Sequence, residues 1–215
     1  MKRKITALKP QKRDPRRVNV YLDEAFAFGL SQAVAMGIKV GQEINGEEIN
    51  QLLARESEQA AYLRALNFIS YRPRSEAEVI KNLGKKDIDE QVIHQVVDRL
   101  RQNHLVDDTK FALEWVDNRS AFRPRSRWAL AMELRQKGIA EDTIEEVLND
   151  TDDEQLAYQA AQKQSRKYRG LEWQNYRRKM SAFLARRGFR YETISPIVRR
   201  IWSENQPDTL EGEHL

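Results

Sequence analysis

The chain of 215 residues contains no cysteine, which excludes a disulfide framework, thiolate metal sites and thiol nucleophiles. Histidine is nearly as scarce: His94, His104 and His214 are scattered, and no HExxH pair or Ser/His/Asp order points to a metal or a triad. There is no GxGxxG or GxxxxGK[ST] loop, so nucleotide binding has no support. No cofactor is expected, and an enzyme is disfavoured. No apolar run reaches membrane-spanning length, and Met1-Lys-Arg-Lys4 is not followed by the apolar stretch of a signal peptide. A cytosolic protein that touches no membrane is the expectation. Nine glycines and six prolines are few for this length, and several fall where helices should start or stop.

Charge is what the sequence has in quantity, and its distribution matters more than its sum of +4. Residues 1–17 carry +7 and residues 163–200 carry +10, while 18–162 carry −9 and 201–215 carry −4. Two basic blocks around an acidic middle are what a chain that touches a polyanion needs; the alternative is a set of solvated faces.

Residues Lys4–Leu30 read as strands. Val18, Val20 and Leu22 alternate on one side of Asp23-Glu24, and Phe26, Phe28 and Leu30 on the other, which is the pattern of a two-residue hairpin. Ile5–Leu8 adds a third strand, joined through the polar Gln11–Pro15. Glu24 suits a primed turn poorly, so the turn type stays open. From Ser31 the pattern turns helical. A short helix Ser31–Met36 closes at Gly37, Asn45 caps a helix with Ile49, Leu52 and Leu53 as its stripe, and a further helix runs from about Ser57 to Tyr71.

An internal repeat organises the rest. Tyr71-Arg-Pro-Arg-Ser75 recurs as Phe122-Arg-Pro-Arg-Ser126, and the same 51-residue shift carries Leu83 onto Leu134, Ile88 onto Ile139 and Ile93 onto Ile144. A 50-residue shift then takes Leu134 to Leu184 and Lys137-Gly-Ile139 to Arg187-Gly-Phe189. The fold class is therefore mainly α: three tandem three-helix, helix-turn-helix-like repeats in an elongated array, behind a small N-terminal β-hairpin or meander. The expected divisions are 1–56 for the strands and short helices, 57–107, 108–155 and 156–204 for the repeats, and 205–215 for a tail. In the first repeat, Ser75 with Glu78 should form a capping box, Gly84 should close the second helix, and Asp87 and Glu90 should cap the third. Pro196 requires that the last helix either start late, with Ser195 as cap, or kink.

Basic clusters are the candidate contacts. Arg72, Arg74, Arg123 and Arg125 flank prolines at equivalent places in two repeats, and guanidinium forks suit phosphate and carboxylate alike. The bland alternative is that Arg72 and Arg123 cap helix C-termini. In the third repeat Arg177, Arg178, Arg186 and Arg187 interleave with Trp173 and Tyr176, as in base stacking with phosphate contact; Met180 and Phe183 share their helical spacing and favour a core role for the aromatics. The acidic pairs Asp107-Asp108, Glu145-Glu146 and Asp152-Asp153 read as caps and solubilising charge. Asp89, Glu90, Asp98, Glu141 and Glu145 give the third helices the wrong sign for reading a major groove.

Taken in order, Ile5-Thr-Ala-Leu-Lys-Pro10, Val20-Tyr-Leu-Asp23, Phe26-Ala-Phe-Gly29, Tyr71-Arg-Pro-Arg-Ser-Glu-Ala-Glu78, Asn118-Arg-Ser-Ala-Phe-Arg-Pro-Arg125, Glu133-Leu-Arg-Gln-Lys-Gly-Ile139 and Phe183-Leu-Ala-Arg-Arg-Gly-Phe189 resemble the bacterial RecX family, regulators of the recombinase RecA. The resemblance runs from about Ile5 to Trp202; Glu24 stands where glycine is common, and Asn205–Leu215 lies outside it. It implies three tandem helical repeats without enzymatic activity, lying in the groove of the RecA–single-stranded-DNA filament. It also implies control of recombination, DNA repair and the SOS response through limits on filament extension, ATPase, strand exchange and repressor cleavage. The expected partners are the RecA filament and single-stranded DNA, reached directly or through RecA, with the chain acting as a monomer. The partner-binding candidates are Arg72, Arg74, Arg123, Arg125, Arg177, Arg178, Arg186 and Arg187. The alternative is a stand-alone nucleic-acid-binding protein using the two basic blocks.

Overall fold

The computed structural model describes residues 1–205; the remainder of the expected tail, with His214, lies outside the described residues. The chain divides into two compact units, Met1–Val106 and a second that begins at Asp107.

In the first unit, strands β1 (Arg3–Pro10), β2 (Arg17–Leu22) and β3 (Ala25–Ser31) and the short β4 (Glu43–Ile44) form an antiparallel sheet in the order β3-β2-β1-β4. The hairpin turn is resolved: Asp23 (φ 49°) and Glu24 (φ 69°) are both left-handed, as a type I′ turn requires, although neither is glycine. Strand β1 holds them there. The Asp23 carboxylate accepts from the Lys4 N–H at 3.0 Å and from Arg3 Nε at 2.9 Å, and the Glu24 N–H donates to Thr6 Oγ1 at 2.9 Å. The expected alternation in β3 is broken by a register shift between Val20 and Tyr21. Phe26 consequently pairs with Tyr21, their rings edge to face at 6.1 Å, and stays exposed. Ile5, Val20, Leu22, Leu30 and Ile44 are buried on the inner face.

The short helix α1 (Gln32–Ala35) leads to α2 (Gly46–Ser70), which corrects the expectation of two helices here. Asn45 and Glu48 close a capping box at its start. Nothing between Leu53 and Ser57 breaks a helix, since Ala54, Arg55 and Glu56 are all good helix formers, and the chain continues through 25 residues. Its first half, with Leu52 and Ile49, completes the core of the sheet; its second half, with Ala61 and Ala65, joins α3 (Glu76–Gly84) and α4 (Glu90–Gln102) around Val79, Leu83, Ile93, Val96, Val97 and Leu100. One helix thus serves two cores.

The second unit contains α5 (Asp108–Phe122), α6 (Arg127–Gln136), α7 (Glu141–Leu148), α8 (Asp153–Ser165), a 3-10 turn Arg166–Tyr168, α9 (Trp173–Ala185) and α10 (Tyr191–Glu204). Its two three-helix repeats share one hydrophobic core, in which Leu130, Leu134, Ile144, Leu148, Met180, Leu184 and Ile194 are all buried. Each such side chain contributes about 1.5–3 kcal/mol relative to exposure. Helix α10 begins at Tyr191 and contains Pro196, so the late start at Ser195 does not occur.

The turn between the second and third helices of each repeat follows one rule. Asp87 (φ 52°), Gly138 (φ 78°) and Gly188 (φ 88°) occupy the same repeat position, and all three are left-handed. Gly84 closes α3 as expected, as its last helical residue and without a left-handed backbone, while Asp89 rather than Asp87 or Glu90 caps α4, its carboxylate accepting from the Gln91 N–H at 2.8 Å. Ser75, Asp107 and Asp152 do cap α3, α5 and α8, whereas Glu145 and Glu146 lie inside α7 and cap nothing.

Candidate functional site

Both expected arginines of the first unit, Arg72 and Arg74, engage the unit's own groups. The Nη1 and Nη2 of Arg72 meet the two carboxylate oxygens of Glu78 at 3.1 and 3.0 Å, and Nη1 also donates to the Pro73 carbonyl at 2.8 Å. Arg74 stacks on Phe68, 4.0 Å from the ring centroid, with Nε buried and unpartnered. Burial, then the Arg72 charge, holds the Arg74 guanidinium below its usual value, against the opposing pull of Glu78. Further along, Arg101 takes Glu76 through two bonds of 2.7 and 2.6 Å as well as Asp98, and Arg99 lies 3.8 Å over the Tyr62 ring. The fork-shaped donors of this unit are largely neutralised where they stand.

The second unit differs. Arg123 ends α5 with its N–H bonded to the Arg119 carbonyl, and its exposed guanidinium has no carboxylate partner among the described residues. Arg125 lies 3.0 Å from Glu133, whose other oxygen accepts from Trp115 Nε1 at 2.8 Å and Arg119 Nε at 2.7 Å. Across the unit, Arg187 donates through Nη1 to the Pro124 carbonyl at 2.8 Å, while its own carbonyl accepts from the Ser126 N–H at 3.1 Å. Burial, then the charges of Arg125 and Arg123, hold Arg187 below its usual value. The structure therefore brings Arg123, Arg125 and Arg187 from two repeats to one place. The capping alternative holds for Arg123, which is the C-cap of α5 through its backbone N–H and leaves its guanidinium free, and not for Arg72, which follows the C-cap Tyr71 of α2.

Gly188 makes this meeting possible. A Cβ there would lie 2.6 Å from Ser126 Oγ and 2.8 Å from Ala129 Cβ, so only glycine lets the α9–α10 turn rest on the start of α6. Beside it, Trp128 is 61% exposed and Phe122 is 74% exposed. Tyr71, the repeat equivalent of Phe122, is 77% exposed. An exposed aromatic thus precedes the first arginine in both Arg-Pro-Arg segments, a residue pairing common at binding surfaces. The sequence pattern displayed Tyr71 and Phe122 without showing that they would be bare.

Arg177 and Arg178 lie on α9, exposed, along a groove of about 440 Å³ lined by Trp173, Gln174, Arg177, Arg178, Ser181 and Tyr191. The nearby Ser195 hydroxyl and Arg177 guanidinium hold the Tyr191 phenol below its usual value, with the charges of Arg177 and Arg199 adding to the effect. Arg186 is exposed at the end of α9 and has no carboxylate partner among the described residues. Tyr176 and Met180 are buried, and Trp173 packs with Tyr176 and Trp202, at ring distances of 6.5 and 5.4 Å, so these aromatics serve the core as their spacing indicates. Sequence reasoning missed Tyr191, Arg199 and Glu133. For Glu133 a signal existed: the repeat equivalent of Glu78 is Ala129, and a carboxylate one helical turn further on replaces it. Among the described residues no group of three or more His, Asp or Glu is placed to hold a metal ion, and no helix is long and apolar enough to cross a membrane.

The model of the N-terminal domain of the regulatory protein RecX matches residues 3–45, and those of the first, second and third RecX three-helix domains match 61–100, 107–148 and 152–198. The regulatory protein RecX of Bacillus subtilis (strain 168) is 31% identical over 210 residues, covering 95% of this chain and 80% of the relative. That of Bacillus velezensis is 32% identical over 216 residues, covering 98% and 82%. A crystal structure of regulatory protein RecX superposes with a TM-score of 0.73 at 28% identity, covering 91% of this chain and 98% of that one.

Proposed function

The chain belongs to the RecX family of regulatory proteins, and from that premise we propose that it is a non-enzymatic modulator of the RecA recombinase. It acts as a monomer in the bacterial cytoplasm, laid along the groove of the RecA–single-stranded-DNA filament, where it limits filament extension, ATPase, strand exchange and repressor cleavage. The observation that carries the reading from family to site is the convergence of Arg123, Arg125 and Arg187 beside the bare rings of Phe122 and Trp128. Such a patch suits a partner that offers acidic loops or phosphates together with apolar surface. Arg177, Arg178 and Arg186 supply the second contact, and Arg72 and Arg74 contribute once Glu78 and Phe68 release them.

The test is a RecA–single-stranded-DNA ATPase assay with added protein. The rate should fall at substoichiometric amounts, and charge reversal at Arg123 and Arg187 should weaken the effect more than reversal at Arg72. No change in rate at equimolar protein would refute the proposal. Tight, steeply salt-dependent binding to naked DNA with no preference for the filament would instead support a stand-alone nucleic-acid-binding protein.

A further inference from the structure

The cations of one turn in the second unit stand without partners. Arg166, Lys167 and Arg169 are exposed in and beside the 3-10 turn Arg166–Tyr168, and none of the three has a carboxylate partner among the described residues. Like charges this close repel one another, so the turn favours any acidic group brought near it. Glu204 does not serve. It lines the same cavity of about 560 Å³ as Arg169, but its Oε1 accepts from Arg200 Nε at 2.8 Å and its Oε2 from the Tyr158 hydroxyl at 2.9 Å. Asn205, which lines that cavity too, closes α10: its N–H donates to the Trp202 carbonyl at 3.2 Å and its Nδ2 to the Ile201 carbonyl at 2.6 Å. The chain therefore leaves α10 beside the cationic turn. Residues 206–215, which follow and lie outside the described residues, carry Asp208, Glu211 and Glu213 and no lysine or arginine.

We propose that the acidic segment after Asn205 folds back on this turn, with Asp208, Glu211 and Glu213 against Arg166, Lys167 and Arg169, and competes there with any polyanion or acidic surface that approaches. Charge complementarity names the occupant, since residues 206–215 carry −3 directly after a block, 163–200, that carries +10. Reach allows it. At about 3.3–3.6 Å per extended residue, Asp208 can lie up to about 10 Å and Glu213 up to about 29 Å from the end of α10. Exposed ion pairs are individually weak, but a short tether holds the acids at millimolar effective concentration, so pairs too weak to retain a free peptide retain a tethered one. The contact is an autoinhibitory one, and salt releases it. It requires no recombinase and goes beyond the function proposed above, and it is separate from the Arg123–Arg125–Arg187 patch.

The experiment uses the full chain and no recombinase, so its outcome is independent of the ATPase test. Heparin is the polyanion probe, and a cycle of charge-neutralised variants separates docking from a change in overall charge. Asp208→Asn/Glu211→Gln/Glu213→Gln should bind heparin about fivefold more tightly than the parent at low salt, the effect of a few exposed ion pairs together. In an Arg166→Gln/Lys167→Gln/Arg169→Gln background the same three substitutions should change the affinity by less than about twofold. An equal gain in both backgrounds, or no gain in the parent, overturns the proposal. The chain has no cysteine, so a nitroxide on Thr209→Cys sits at one place only. It should broaden the amide signals of Arg166, Lys167 and Arg169 at low salt, and much less at about 1 M salt or with the three acids neutralised. Absent broadening, or broadening that neither change relieves, overturns the proposal. Broadening that grows with chain concentration would place the segment on a second copy and equally overturn it.

Discussion

Glu56 fastens the N-terminal sheet to α2, and its removal should uncouple them. Its carboxylate accepts from the Ser31 N–H at 2.6 Å, and Arg17 Nη1 lies 2.8 Å from the other oxygen as a charge pair rather than an aligned hydrogen bond. Arg17 and Ser31 face each other across β2 and β3, so one carboxylate grips both strands at the open end of the hairpin. The two contacts differ in weight. Ser31 is buried, so Glu56→Ala removes a bond to a charged acceptor, worth about 1.5–3 kcal/mol, and leaves a donor without water. The Arg17 side chain is 37% exposed, and solvent screening reduces its share to at most about 1 kcal/mol. The total expected for Glu56→Ala is about 2–4 kcal/mol, against about 1 kcal/mol for Glu56→Gln, whose amide oxygen still accepts from Ser31. Urea unfolding followed by far-UV circular dichroism measures the loss, and hydrogen exchange at the Ser31 amide locates it. Trp115, Trp128, Trp173 and Trp202 all belong to the second unit, so their emission reports that unit separately. A loss below about 1 kcal/mol for Glu56→Ala, with the Ser31 amide still as protected as its neighbours, would refute the reasoning.

Glycine positions of the repeats should respond in opposite directions. Gly188→Ala should cost about 2–4 kcal/mol in thermal or urea unfolding, because φ is 88° and the new methyl meets Ala129 Cβ at 2.8 Å. Gly84→Ala, in open space at the end of α3, should instead stabilise by about 0.5–1 kcal/mol. Asp87→Gly should be neutral or stabilising by up to about 1 kcal/mol, and Asp87→Val should cost about 1–2 kcal/mol, since φ is 52°. The Tyr176 phenol rises from 10.0 to about 12 on folding, so its contribution is complete below about pH 10 and is lost as pH climbs toward 12. Unfolding curves of the parent and Tyr176→Phe should therefore diverge over that window, with the parent falling faster.

The helical repeat was legible because its signals are local. Ser75, Asp107 and Asp152 cap helices through bonds that span three residues, and the stripe Ile93, Val96, Val97 and Leu100 follows from helical geometry alone. What escaped the sequence depends on distant partners. The two halves of α2 face two separate cores, so its apolar stripe breaks and reads as two helices although no residue between them stops the helix, and the turn at Asp23-Glu24 is decided by bonds from Arg3, Lys4 and Thr6 on β1. The left-handed turn position was hidden in the first repeat because Asp87 occupies it; the aligned Gly138 and Gly188 mark it in the other two.

The same distinction governs the arginines. Repeat position predicts that Arg72 and Arg123 are equivalent, but a guanidinium is available to a partner only when no local carboxylate takes it. In the first repeat Glu78 lies one turn into the following helix and engages Arg72; in the second, Ala129 stands there and Glu133 engages Arg125 and Arg119 instead, leaving Arg123 bare. The exchange of glutamate for alanine at one repeat position thus moves the free charge from one arginine to another. It also frees it next to Arg187, whose side chain is drawn into the same patch by the Pro124 carbonyl and whose turn is admitted there by Gly188. The Arg72–Glu78 pair is two-pronged and its glutamate is only 19% exposed, so on the function proposed above Arg72 becomes a contact only for a phosphate or carboxylate able to replace both bonds, whereas Arg123 needs no such exchange.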